Sequence, residues 1–106
     1  MSDWRPFSHG QTIGMTSPEG GVIVRDEEHP LGVRIVLKEA KEYISISCNI
    51  VGRIDHSRFF RKMSDAQSEY EVMKDDLVKV ATVISKGRST DIKGWEAIAA
   101  FVSKFQ

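Results

Sequence analysis

The densest chemical vocabulary in the chain lies between Arg53 and Lys62, where Asp55-His56-Ser57 is followed by Arg58-Phe59-Phe60-Arg61-Lys62. Four basic residues stand against one acidic residue there, interleaved with two aromatic rings. On a sheet, such a mixture can hold single-stranded nucleic acid, with bases stacked on the rings and cations following the phosphates. Arg34 and Lys38 add to it: from Val33 to Met63 seven basic residues oppose three acidic ones, a balance of +4. The candidate nucleic-acid set is therefore Arg34, Lys38, Arg53, Arg58 and Lys62. The ordinary alternative makes Phe59 and Phe60 core residues and the arginines a solvated edge that discourages strand pairing. The overall charge favours that alternative, because fifteen basic residues balance fifteen acidic ones and no global field draws in a polyanion.

Asp55, His56 and Ser57 are the residue types of a catalytic triad. On a strand, neighbouring side chains point to opposite faces, so Asp55 and Ser57 share one face and His56 takes the other. A triad needs the imidazole between its two partners, so no catalytic site is expected here. Asp26-Glu27-Glu28-His29 offers three carboxylates and an imidazole before Pro30, but no second ligand group stands at a metal-binding spacing. It reads as an exposed hairpin tip. The glycines of Gly10-Gln11-Thr12-Ile13-Gly14 and Gly20-Gly21 read as turn residues, since neither group leads into a helix with a following lysine and hydroxyl pair. Cys48 falls in phase with Ile44, Ile46 and Ile50 and reads as core. Neither a metal nor a cofactor is expected.

These residues must be positioned by strands and helices, and the periodicities indicate which. Val22 to Glu27 is β-branched and alternating. Val33, Ile35 and Leu37 alternate with Arg34, Val36 and Lys38, and Ile44, Ile46, Cys48 and Ile50 alternate with Tyr43, Ser45, Ser47 and Asn49. A period of two implies one buried face and one wet face. Arg53 to Phe60 supplies a fifth segment, and a short strand is expected over Gln11 to Met15. The connections are too short for parallel crossovers, so the sheet is an antiparallel meander of four to five strands. At Ser64 the period changes. Ser64-Asp65-Ala66-Gln67 reads as a capping box, followed by Ala66, Tyr70, Met73, Leu77, Val80 and Ile84 at helical spacing up to a stop at Gly87. A second helix follows, capped from Ser89, Thr90 or Asp91, with Ile92, Trp95, Ile98 or Ala99, Val102 and Phe105 as its stripe.

The expected fold class is α+β, with the two C-terminal helices packed on one face of the sheet. Residues 1–106 form a single domain, with an irregular arm over 1–10, the sheet over 11–60 and the helices over 64–106. The length of 106 residues and the proportions of 41% hydrophobic and 28% charged residues suit one globular domain. A lone cysteine, no basic and apolar leader and no long apolar run imply a reducing, cytoplasmic setting away from membranes. The expected function is non-enzymatic protein contact, through a homodimer. The wet sheet face supplies the expected interface, made of Val36, Tyr43, Ser45, Ser47, Asn49 and Val51.

Overall fold

Alternation within the segments and glycine between them produce the sheet. The computed structural model describes residues 3–87 and 92–106. Five strands, β1 (Arg5–Pro6), β2 (Val22–His29), β3 (Val33–Glu39), β4 (Ile44–Ile50) and β5 (Ile54–Phe60), form one antiparallel sheet in sequence order. Two helices follow, α1 (Met63–Lys86) and α2 (Ile92–Lys104). The tight reversal from β4 to β5 rests on Gly52, whose φ of 72° at the third turn position is one a side chain resists. Among the described residues, no helix is long and apolar enough to cross a membrane.

The register assigns the two faces. Ile35 pairs with Cys48 and Cys48 with His56, while Val36 pairs with Ser47 and Ser47 with Ser57. Directly opposed residues share a face. Val33, Ile35, Leu37, Ile46, Cys48 and Ile50 therefore point together toward the helices, where α1 lays Ala66, Tyr70, Met73, Leu77 and Val80 on them. The Tyr70 hydroxyl is fully buried and donates to the Ile35 carbonyl at 3.3 Å, so this polar atom costs the core little.

Five expectations are corrected. No strand forms over Gln11 to Met15, because Gly10 and Gly14 take left-handed backbone (φ 81° and 85°) and turn the chain repeatedly. The extra strand is Arg5–Pro6, within the segment expected to be irregular. The capping box is absent: α1 begins at Met63 after an extended Lys62, no side chain caps it, and Ser64 lies inside the first turn. The acidic run 26–29 is not a hairpin tip but the second half of β2, so its side chains alternate between faces. In α2 the buried face is Gly94, Ile98 and Phe101, continued by Phe105, whereas Trp95 is 49% exposed. Gly94 faces Ile84 of α1, where a Cβ would lie 3.6 Å from the Ile84 side chain, an ordinary van der Waals distance. The candidate caps Ser89, Thr90 and Asp91 lie outside the described residues.

Candidate functional site

The outer face of the sheet is divided in two. Over β2 and β3 it is covered by the chain between Phe7 and Gly21. Ser8 and His9 take positive φ (51° and 57°), a conformation unfavourable without glycine, and the turn lays the Phe7 ring 3.6 Å from the Arg34 guanidinium. Beneath it, Asp26 is fully buried. Arg34 grips its carboxylate with two parallel bonds, Nε to Oδ1 at 3.0 Å and Nη2 to Oδ2 at 2.7 Å, and the Thr12 hydroxyl donates a third at 2.8 Å. The Asp26 hydrogen bond raises the Arg34 pKa further, against the opposing effect of burial. Lys38 is also nearly buried and meets Glu19, an exposed residue of the covering loop, at 3.2 Å.

The β4–β5 half is open. Tyr43 and Phe59 meet edge to face, with ring centroids 5.5 Å apart, and Phe59 is 64% exposed. Beside them the Ser47 and Ser57 hydroxyls share a hydrogen bond of 3.1 Å across the two strands. An open cleft of about 230 Å³ runs between the covering loop and this half, lined by Glu19, Val36, Lys38, Asn49 and Asp55 among others. A smaller hollow of about 100 Å³ continues it toward Tyr43 and Phe59.

Of the expected interface residues, Tyr43, Ser47 and Asn49 do lie on this open half, with Val36 half-buried in the floor of the cleft. Ser45 does not present itself to solvent: it is 4% exposed, enclosed by Lys38, Tyr43 and Phe59. Val51 sits in the β4–β5 turn and therefore off the face. The expected nucleic-acid set is not gathered on one surface. Arg34 and Lys38 lie on the outer face but hold carboxylates, and Arg58 lies on the helix side, bonded to Glu69 at 2.6 Å. Arg53 lies over the Trp95 ring of α2, and Lys62 stands at the start of α1. Phe59 is the residue that sequence reasoning misplaced as core. The alternation carried the signal, since Phe60 is in phase with Ile54 and Phe59 with Ser57, and two adjacent strand residues cannot both face the helices.

Asp55, His56 and Ser57 divide as the strand requires. His56 turns to the helix side, where Nε2 lies 2.7 Å from the Phe105 carbonyl and ties the end of the chain to β5. On the same side Arg25, Glu27, Glu71 and Lys74 form a linked set of ion pairs beside Tyr70. Burial pushes the Glu27 carboxyl upward, but hydrogen bonding and charge from Lys74, with help from Tyr70 and Arg25, hold it below its ordinary value. Burial, assisted by the Asp55 charge, pushes the Cys48 thiol up to about 12. Among the described residues, no three His, Cys, Asp or Glu side chains converge as a metal site. Comparison with models of known families, with curated proteins and with solved structures finds no match.

Proposed function

We propose that this is a non-enzymatic cytoplasmic protein that acts by protein contact, as a homodimer joined through the β4–β5 side of its sheet. The observation that carries the reading is the exposed Tyr43–Phe59 pair on the half of the outer face that the covering segment leaves open. An edge-to-face aromatic pair offers a large, rigid apolar contact at small entropic cost, and it sits beside short serine side chains that allow close approach. The zero net charge supports a second copy as the partner, since no long-range repulsion opposes it. The separation of His56 from Asp55 and Ser57 across the sheet supports a non-enzymatic role. A reducing compartment accords with a single, buried cysteine. The nucleic-acid reading has less support, because its cations are split between faces and two of those on the outer face are neutralised.

Sedimentation at micromolar concentration tests the proposal. The wild-type chain is expected to be a dimer. Phe59→Glu removes the apolar contact and adds charge twice across a two-fold, so dissociation should weaken the dimer at least about tenfold while the melting curve stays cooperative. A monomeric wild type, or a dimer indifferent to this substitution, overturns the reading.

A further inference from the structure

The two edges of the sheet are built differently. At one edge β1 contributes only Arg5 and Pro6, and proline cannot donate to a further strand. At the other edge β5 runs for seven residues, fully in register with β4 and without proline, glycine or bulge. Among the described residues nothing pairs with its free side. An edge of that length without proline or bulge is a template for another strand, and Arg58, the charge that would oppose pairing on the helix side, is held by Glu69 of its own chain.

The residues along β5 complement their own reversed copy. Antiparallel pairing about Ser57 opposes all seven residues, and no other register does. Ile54 then meets the partner's Phe60 on the helix side, twice by symmetry. Both are half-buried at the open edge in the single chain, already packed against the core on one flank. On the outer side Asp55 comes opposite the partner's Phe59, and the partner's Arg61, the first residue past the end of β5, follows just beyond it. Asp55 and Arg61 are exposed, and neither has an ion pair among the described residues. The intervening polar groups are already committed within their own chain, His56 to the Phe105 carbonyl and Arg58 to Glu69. On the helix side His56 of β5 meets the Phe101 ring of α2 and the Phe105 carbonyl, so these contacts lie beside the free edge without occupying it.

We propose that the second copy joins edge to edge, β5 antiparallel to β5 about a two-fold axis at Ser57, making one continuous ten-strand sheet. This rests on the homodimer reading above and moves its contact from the outer face to the β5 edge, where Phe59 lies opposite the partner's Asp55 while Tyr43 stays outside the seam.

Disulfide trapping tests it on the full chain. At the axis the two Ser57 Cα atoms stand about 4.5–5.5 Å apart, inside the span of a disulfide. Ser47 lies directly across from Ser57 on β4, so its two copies are three strand spacings apart, about 14 Å. Under mild oxidation at micromolar concentration, Ser57→Cys should convert most of the chain to a linked dimer. Ser47→Cys and the wild type, with its buried Cys48, should give almost none. Arg61→Glu should weaken the dimer several-fold, and adding Asp55→Arg should restore it. A dimer in sedimentation that Ser57→Cys fails to link, or that Ser47→Cys links instead, overturns the edge geometry and leaves the dimer standing. A monomeric wild type overturns both.

Discussion

Truncating either member of the Arg34–Asp26 pair should destabilise the protein, and by unequal amounts. The Asp26 side chain has no exposure to water and three donors, two of them from Arg34. Arg34→Ala leaves a buried carboxylate with only the Thr12 hydroxyl. Removing one partner of a buried pair costs about 3–5 kcal/mol. Losing the Phe7 contact adds about 0.5–1 kcal/mol. Asp26→Ala leaves instead a guanidinium whose side chain is 34% exposed and can recruit water, so the loss should be about 1–3 kcal/mol. The double variant carries no stranded charge and should be more stable than Arg34→Ala alone. Urea unfolding followed by circular dichroism measures all four proteins, with equal slopes as the check on two-state behaviour. Since about 4 kcal/mol approaches the whole stability of many small domains, the series should be run in a fixed concentration of sucrose. If Asp26→Ala costs as much as Arg34→Ala, or the double variant loses the sum of the two, solvent access does not govern the pair and the reasoning fails.

Glu27 should make stability depend on acid. Its folded pKa is lowered, so its contribution is complete above the unfolded value of about 4.3 and is lost as pH falls through the folded one. The stability gap between wild type and Glu27→Gln should therefore be widest at neutral pH and narrow as the pH falls below the unfolded value; a gap unchanged by pH contradicts the Lys74 pairing. Cys48 should resist thiol reagents in the native state at neutral pH, because its pKa of about 12 leaves almost no thiolate. Labelling as fast as in urea would show that β4 does not bury it.

The α+β architecture was legible because it depends on local periodicity. Ile44, Ile46, Cys48 and Ile50 can bury a common face only as a strand, and Tyr70, Met73, Leu77 and Val80 only as a helix. The antiparallel order followed from connections too short to do otherwise. The placements that failed were decided by contacts between residues distant in the chain. Trp95 and Phe101 are both apolar, and the contacts of α2 with the core put Phe101 inside against His56 and leave Trp95 half exposed. Arg34 and Lys38 carry the same charge as Lys62, but Asp26 and Glu19, from β2 and the covering loop, neutralise them. Which half of the sheet is open could not be read from alternation, because Ser45 and Ser47 repeat one pattern while their cover comes from elements elsewhere in the chain. Periodicity states which side chains share a face, and only the tertiary structure states what lies across from that face.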